Sequence, residues 1–265
     1  MCRLFGMHTG STAVDAEFWL LDAPDNLEEQ SKKNADGFGI GTFGDDGTPV
    51  VEKAPQPAWQ DPDFAAAAHR LHGRTFVAHV RKASTGAPLL ANTHPFLQDG
   101  RLFAHNGAVA GLPVIDERIR ELRADTLIKG DTDTERVFAL ITAEIRRHHG
   151  DVRAGITAAV TWLHDHVTIT SLNFVLIEPA DLWAFRFPAE NELFVALSAT
   201  TGAEGGGLPL RGSHLAAGTH PTIPQPSVVV ASERMDTTSA WRHLQPGELL
   251  HVDPQLQTHS NQIAE

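Results

Sequence analysis

The first residue that could carry out chemistry is Cys2, the only cysteine of the 265 residues, which directly follows Met1. Removal of Met1 by an aminopeptidase that accepts small second residues would leave Cys2 with a free α-amine. Such an amine has a pKa of about 7.7–8.0 and can accept the thiol proton near neutral pH. Nucleophile and general base would then belong to one residue. The alternative interpretation is a small buried side chain, which is what a lone cysteine usually is.

A second candidate is His105-Asn106-Gly107, at the end of an apolar stretch. Asn-Gly is ordinarily a turn sequence. An asparagine side-chain amide and the backbone N–H of the next residue can, however, point at one spot, which is the geometry of an oxyanion hole. Glycine also lets the backbone approach a ligand closely. Asn106 and Gly107 are therefore candidate stabilisers of a tetrahedral intermediate.

Two charged residues could recognise an amino-acid head group. Arg81 ends a predicted strand, and a guanidinium can hold a carboxylate at two points, which lysine cannot do. Asp133 stands at the start of a predicted helix and could hold a substrate ammonium. Each residue also has an ordinary interpretation, Arg81 as a surface arginine and Asp133 as an acid that favours the helix dipole.

The elements that must position these residues are strands and helices in alternation. The sequences Asp61-Pro62-Asp63 and Thr132-Asp133-Thr134-Glu135 are helix caps, and the helices that they start should reach about residues 71 and 149. A third helix is predicted over residues 151–163. Apolar alternation predicts strands at residues 1–7, 38–43, 75–81, 101–105, 172–178, 182–187, 193–197, 227–232 and 248–252. We expect a surface loop over residues 199–207 and fraying over residues 256–265.

Composition limits the function classes. The formal net charge is −12, and because no block of lysine and arginine offsets it, nucleic acid and anionic membrane surfaces are disfavoured as partners. No apolar run approaches the roughly 18 residues that span a bilayer, and no basic leader precedes an apolar segment. A single cysteine gives no support to secretion. We expect a cytoplasmic protein with one domain over residues 1–265.

In their order and spacing, the candidate residues resemble the class II glutamine amidotransferases, which are glutaminase domains with an N-terminal cysteine. The segments that carry this resemblance are Met1-Cys2-Arg3-Leu4-Phe5-Gly6, Asn34-Ala35-Asp36-Gly37-Phe38-Gly39, Asn92-Thr93-His94-Pro95-Phe96, Ala104-His105-Asn106-Gly107 and Asp131-Thr132-Asp133-Thr134-Glu135. The resemblance implies an α+β fold, a four-layer αββα sandwich with two antiparallel sheets, as in N-terminal-nucleophile hydrolases.

The same resemblance implies roles for the catalytic and head-group residues. Cys2 would be nucleophile and base, and Asn106 with Gly107 would form the oxyanion hole. Arg81 would bind the α-carboxylate of a glutamyl group and Asp133 its α-amine.

Further substrate contacts are implied for four residues. Ser84 stands where the family often has a threonine that touches the substrate carboxylate. Asp36 and Gly37 lie in a loop beside the nucleophile, and His105 is grouped with the residues that contact substrate. No cofactor and no metal is implied.

The implied reaction is hydrolysis of the γ-amide of glutamine, or of a γ-glutamyl compound, through a glutamyl-thioester intermediate. A narrower alternative is the γ-glutamyl hydrolase of ergothioneine biosynthesis, which acts on a γ-glutamyl sulfur-containing histidine derivative. The ammonia could pass to a separate synthetase subunit, or the product could simply be released; a homo-oligomer also stays open. Specificity for the leaving group is expected from loops, with residues 87–91 and 200–220 as candidates.

Two other function classes fit parts of the sequence. The 15 histidines include pairs with ligand spacing, at His69-x-x-His72, His148-His149 and His164-x-His166, which would suit a metal hydrolase. The sequence has no HExxH, no acidic residue is placed to complete a set, and histidine at a helix end is electrostatically favourable in any case. A non-catalytic binding protein should have lost its nucleophile or its oxyanion asparagine, and both are present.

Overall fold

A computed structural model describes residues 2–82, 86–198, 226–237 and 239–264 of the chain. Its strands are β1 (Arg3–His8), β2 (Val14–Asp15), β3 (Phe38–Phe43), β4 (Pro49–Ala54), β5 (His72–Gly73), β6 (Thr75–Val80), β7 (Phe96–Gln98), β8 (Arg101–Val109), β9 (Ile169–Ile177), β10 (Leu182–Phe185), β11 (Phe194–Ser198), β12 (Ser227–Ala231), β13 (Trp241–His243), β14 (Glu248–Val252) and β15 (Thr258–Gln262). Its α-helices are α1 (Leu27–Ser31), α2 (Pro62–Arg70), α3 (Leu112–Glu121), α4 (Asp133–Arg147) and α5 (Val152–His166). A π-helical segment spans Phe18–Asp22, and short 3-10 turns span Ala58–Gln60, Leu90–Asn92 and Asp125–Leu127.

Two large antiparallel sheets hold most of the strands. The first sheet has the order β13-β11-β12-β1-β6-β3-β4, and the second has the order β15-β14-β10-β9-β8-β7. In the first sheet β1 lies between β12 and β6, with Arg3 opposite Val80 of β6. In the second sheet β8 pairs with β9, with Asn106 opposite Asn173. Strands β2 and β5 form a separate small pair.

Three apolar cores separate four layers. One core, which includes Leu4, fills the space between the two sheets. A second lies between the first sheet and the helices α1 and α2, where Phe38 meets Phe64 edge to face with ring centroids 5.1 Å apart. The third lies between the second sheet and α3 to α5, where Phe103 stacks on Phe138 at 4.8 Å. This arrangement confirms the predicted αββα sandwich.

Period-two alternation explains how each central strand contributes to two cores. In β1, Leu4 faces the gap between the sheets and Phe5 faces the helices; in β8, Leu102 faces the gap and Phe103 faces the helices. Full burial of a phenylalanine contributes about 1.5–3 kcal/mol. A slip by one residue would reverse both faces of a strand, so core packing fixes the register. The same packing therefore fixes where Cys2 and the end of β8 lie.

Capping side chains start three helices close to the predicted positions. Asp61 accepts a hydrogen bond from the backbone N–H of Asp63 at 2.9 Å, and Pro62 occupies the first position of α2. Thr132 caps α4 through the N–H of Glu135 at 3.3 Å. The predictions of α2, α4 and α5 are confirmed, although α5 runs three residues beyond its predicted end at residue 163.

Other predictions were wrong at strand ends. The strand that was expected to end at His105 continues to Val109, because Asn106 and Gly107 pair with β9 instead of forming a turn. The chain end was expected to fray, but β15 pairs along its whole length with β14. Helix α3 and strand β4 were not predicted. The loop expected over residues 199–207 lies outside the described residues.

Candidate active site

The Cys2 thiol lies at the start of β1, beside the residues that follow β6. Its Sγ atom is 3.2 Å from both the backbone N–H and the carbonyl oxygen of Lys82. Burial raises the pKa of the Cys2 thiol above its usual value of 9.0, and the Lys82 N–H and the charge of Arg81 offset only part of this effect. The thiol therefore keeps its proton at neutral pH and needs a base before it can attack a carbonyl.

The Asn106 side chain reaches Cys2 from the opposite sheet. Its Nδ2 donates a hydrogen bond of 2.7 Å to the carbonyl oxygen of Cys2, and Arg3 Nη1 donates to the same oxygen at 3.3 Å. The Asn106 backbone carbonyl accepts a bond of 3.1 Å from the Ser171 hydroxyl on β9. The nucleophile and the predicted oxyanion residue are thus brought together by the stacking of β1 on β8.

Gly107 lies where a larger residue does not fit. A Cβ atom there would overlap the Ser171 carbonyl oxygen and His105 Nε2. His105 itself is buried, with Nδ1 3.0 Å from the Thr134 hydroxyl and Nε2 3.2 Å from the Ser171 carbonyl. Both of its ring nitrogens thus have protein partners, and the ring braces β8 against α4 and β9. His105 is a residue of β8, and its side chain points toward the helix layer at α4.

Arg81 is buried, with 4% of its surface exposed, so the surface-arginine interpretation is wrong. Its guanidinium donates to the carbonyl oxygens of Gly86 at 3.1 Å and Ala87 at 3.3 Å. Its backbone N–H donates to the Gly37 carbonyl at 2.7 Å, and its carbonyl accepts from the Asp36 N–H at 2.9 Å. The predicted Asp36-Gly37 loop therefore lies against Arg81. Ser84 lies outside the described residues.

Asp133 is the first residue of α4 and its carboxylate turns toward β8. One oxygen accepts the backbone N–H of Val109 at 2.9 Å, and the other accepts the N–H of Thr134 at 2.9 Å. Two backbone hydrogen bonds leave further lone pairs on the carboxylate for a ligand. A negatively charged side chain in the first turn of a helix also interacts favourably with the helix dipole.

Asn92 links the Arg81 loop to the start of α4, a role that sequence reasoning missed. Its Nδ2 donates to the Ala87 carbonyl at 3.1 Å, and its Oδ1 accepts the backbone N–H of Asp131 at 2.9 Å. The side chain is fully buried. Its position at the start of the motif Asn92-Thr93-His94-Pro95-Phe96 was the available signal.

Two more buried histidines, His79 on β6 and His94, lie near the site with ring centroids 4.1 Å apart and ring planes tilted by 49°. Burial lowers the pKa of His79 to about 3, with the charges of His105 and Arg81 acting in the same direction. Burial also lowers the pKa of His94 well below its usual 6.5. Both imidazole rings are therefore uncharged at neutral pH.

A cavity of about 320 Å³ opens beside Asn106 and Arg3. We call it the Asn106 cavity; its other lining residues are Arg186, Ala189, Glu190, Asn191, Glu192, Ser232, Glu233 and His243. All of these except Arg3 and Asn106 come from the second half of the chain. These residues form no recognisable motif in the sequence, so the cavity could not be predicted from it.

Two histidines from the pairs with ligand spacing contact other side chains. His69 lies 3.0 Å from a Glu17 carboxylate oxygen, and His166 stacks on Trp162 at 4.6 Å. Within residues 2–82, 86–198, 226–237 and 239–264 no group of three or more His, Cys, Asp or Glu is arranged to hold a metal ion. In the same ranges, no helix combines the length and the apolar character needed to cross a membrane.

Curated relatives align with part of the chain. The γ-glutamyl-hercynylcysteine sulfoxide hydrolase of Mycobacterium tuberculosis is 36% identical over 119 residues, which are 41% of this chain and 50% of the relative. A probable glutamine amidotransferase of Saccharomyces cerevisiae is 25% identical over 198 residues, 63% of this chain and 55% of the relative. The chain thus spans about half the length of the curated relatives that it matches.

Solved structures share the fold over the whole chain. A glutamine aminotransferase class-II domain protein of Silicibacter pomeroyi is similar with a TM-score of 0.64 and 22% identity, covering 100% of both chains. The glutamine phosphoribosylpyrophosphate amidotransferase of B. subtilis gives a TM-score of 0.66 at 16% identity, covering 99% of this chain and 49% of that one. The family model for glutamine amidotransferases class-II matches residues 1–261. The chain therefore belongs to the class II glutamine amidotransferases.

Proposed function

We propose that the protein is a cysteine-dependent amidohydrolase that cleaves the γ-amide of glutamine or of a γ-glutamyl compound. The observation that carries this proposal is the meeting of Cys2 with Asn106, whose amide lies 2.7 Å from the Cys2 carbonyl. A nucleophile and an oxyanion donor on two packed sheets are held by the core, which suits preorganised catalysis.

The glutamyl head group would bind on one flank of Cys2. Arg81, held by the loop at residues 86–87, would take the α-carboxylate, and Asp133 would take the α-ammonium. Asn92 would keep these two residues at a fixed separation, since it bonds to both of the segments that carry them. His105 would act as a positioning residue that braces β8 against α4, and it would not touch the substrate.

The reaction would proceed through a thioester. Once Met1 is removed, the α-amine of Cys2 would accept the thiol proton as Sγ attacks the γ-carbonyl carbon. Asn106 Nδ2 and the N–H of Gly107 would stabilise the oxyanion; Nδ2 carries two hydrogens and can keep its bond to the Cys2 carbonyl. The C–N bond then breaks as the amine returns its proton to the leaving nitrogen. Water attacks the thioester, and glutamate and the thiol are released.

The relatives support two versions of this activity. One relative is named for hydrolysis of a γ-glutamyl sulfoxide compound and another is named a probable glutamine amidotransferase. The narrower alternative for this chain is therefore a γ-glutamyl hydrolase that acts on a sulfur-containing histidine derivative. Delivery of ammonia to a separate synthetase subunit is the other alternative, and in either case we place the protein in the cytoplasm.

The test is amine or ammonia release from L-glutamine and from γ-glutamyl conjugates, with Cys2→Ala as the control. The proposal expects release that depends on Cys2, and glutamate as the common product. Equal turnover by wild type and Cys2→Ala would contradict it, and binding without turnover by the wild type would favour a non-catalytic binding protein.

A further inference from the structure

The Asn106 cavity lies on the flank of Cys2 opposite the head-group residues. In the first sheet β1 separates two neighbours: Arg81 follows β6 on one side, and Ser232 and Glu233 follow β12 on the other. Ser232 is tied to β1 by its hydroxyl, which accepts the N–H of Leu4 at 3.0 Å. Arg3, at the start of β1, pairs with Glu233 in the cavity wall. The cavity therefore starts at Arg3 and Asn106, the two residues that donate hydrogen bonds to the Cys2 carbonyl oxygen.

In the second sheet, too, the head-group residue Asp133 and the cavity lie on different sides. Asp133 binds the end of β8, and its helix α4 packs over β7 and β8, whereas the cavity lies toward β9 and β10. Asn173 of β9, opposite Asn106, donates to the carbonyl oxygens of Asn191 at 3.3 Å and Glu192 at 3.2 Å. A γ-glutamyl amide that is held by its head group and has its carbonyl at Asn106 would direct its leaving nitrogen into this cavity.

The Asn106 cavity is much larger than one ammonia molecule requires. It measures about 320 Å³, whereas one water molecule occupies about 30 Å³ in the liquid. Pockets for small organic ligands begin at about 300 Å³. The space suits a leaving amine of the size of an amino acid.

The Arg186 side chain holds the backbone of the cavity wall in place. Its three guanidinium nitrogens donate to the backbone carbonyl oxygens of Ala189 at 2.6 Å, Asn191 at 2.8 Å and Leu244 at 2.5 Å. These bonds hold residues 189–192 in a fixed shape. The same residues present two exposed carboxylates, Glu190 and Glu192.

The charged residues of the cavity wall determine which ligand charge the cavity favours. Its wall carries the carboxylates of Glu190, Glu192 and Glu233 against the guanidinium groups of Arg3 and Arg186. Arg3 is paired with Glu233, and the Arg186 guanidinium is bonded to backbone carbonyls. Among the described residues, Glu190 and Glu192 form no ion pair with arginine, and a Glu192 carboxylate oxygen lies 3.8 Å from His243 Nδ1. The two carboxylates therefore favour a cationic ligand group there.

We propose that the Asn106 cavity binds the leaving amine of a γ-glutamyl conjugate, an amine of amino-acid size with a cationic group that lies next to Glu190 and Glu192. This inference rests on the proposed function and narrows its substrate class to conjugates with a cationic leaving group. It also assigns recognition of the leaving group to the Asn106 cavity and not to residues 87–91, which lie on the Arg81 side.

The experiment compares kcat/KM for three conjugates that differ in the charge of the leaving group: γ-glutamyl-lysine joined through the lysine α-amine, γ-glutamyl-norleucine and γ-glutamyl-glutamate. The expected order is lysine first and glutamate last, with lysine ahead of norleucine by about fivefold or more. In Glu190→Gln/Glu192→Gln the ratio of lysine to norleucine should fall toward one. The matched control Glu52→Gln/Glu121→Gln removes two carboxylates that lie outside the cavity and should keep the ratio.

A second readout needs no variant. Because the attraction is between partly exposed charges, the lysine-to-norleucine ratio of the wild type should fall as salt is raised from about 0.01 M to about 1 M. Equal rates for the lysine and norleucine conjugates, or turnover of L-glutamine without turnover of any conjugate, would overturn the cavity assignment alone. The proposed function itself fails only if the wild type releases amine from none of these compounds, or if Cys2→Ala matches it.

Discussion

At the scale of single residues, the site depends on side chains whose partners are mostly backbone groups. The Cys2 thiol lies against Lys82, Arg81 against Gly86, and Asp133 against Val109. Backbone partners are fixed by the sheets and helices, so each functional group is positioned before a substrate arrives. This is the arrangement that electrostatic preorganisation requires.

Asn106→Ala tests the oxyanion role. The variant should lower kcat by about 10²–10³-fold, because one donor to the tetrahedral intermediate is lost. Single-turnover kinetics would show whether the chemical step is the one that slows. Asn261→Ala, an exposed asparagine on β15, serves as the matched control and should keep its rate. A chemical step of wild-type speed in Asn106→Ala would remove Asn106 from the mechanism.

Arg81→Lys tests recognition of the α-carboxylate. Lysine keeps the charge but loses the two-point grip, so kcat/KM for L-glutamine should fall by about 10–100-fold. The comparison substrate is γ-aminobutyramide, which has the amide but no α-carboxylate and should lose far less. Arg70→Lys, on the surface beside Glu52, is the control. Equal losses on both substrates would show that Arg81 has only a structural role.

At the scale of elements, sequence patterns predicted the features that depend on local interactions, namely helix starts and strand positions. The caps at Asp61 and Thr132 started helices where expected, and apolar alternation located most strands of both sheets. The end of β8 was missed because pairing with β9 overrides the turn preference of Asn-Gly. The Asn106 cavity was missed because its wall joins residues from separate loops, and only the sheet order brings them together.

Gly107→Ala tests this account of β8. Its new Cβ would overlap the Ser171 carbonyl and the His105 ring, so β8 must shift. We expect a loss of about 1–3 kcal/mol in the free energy of unfolding, together with loss of turnover. Urea unfolding measures the first effect. Gly44→Ala, where the nearest atom is an oxygen of the exposed Asp46 carboxylate at 3.2 Å, should lose less. Equal stability of the two variants would contradict the packing argument.

At the scale of the whole molecule, the two sheets enclose neutral histidines near the site. His79 and His94 are held uncharged by burial, with pKa values lowered to about 3 and well below 6.5. In the unfolded chain each would titrate near 6.5. The unfolded state therefore binds more protons between these values, and acid must favour it.

The free energy of unfolding should accordingly be highest above pH 6.5 and should fall as the pH drops from about 6.5 toward 3. At pH 5 the loss from His79 alone is about 2 kcal/mol relative to pH 7.5. Urea unfolding at both pH values measures it. In His79→Phe, which keeps a ring but cannot ionise, the dependence should be shallower. An unchanged slope in that variant would show that His79 does not contribute to acid sensitivity.

We expect Cys2, as the first residue of the mature chain, to form a glutamyl thioester. The most direct measurement is mass spectrometry of the N-terminal peptide after the enzyme is mixed with a γ-glutamyl substrate and quenched in acid. We predict a peptide that begins at Cys2 and carries one glutamyl group, and no such adduct in Cys2→Ala. Full turnover by an enzyme that retains Met1, or an adduct on a different residue, would contradict the account.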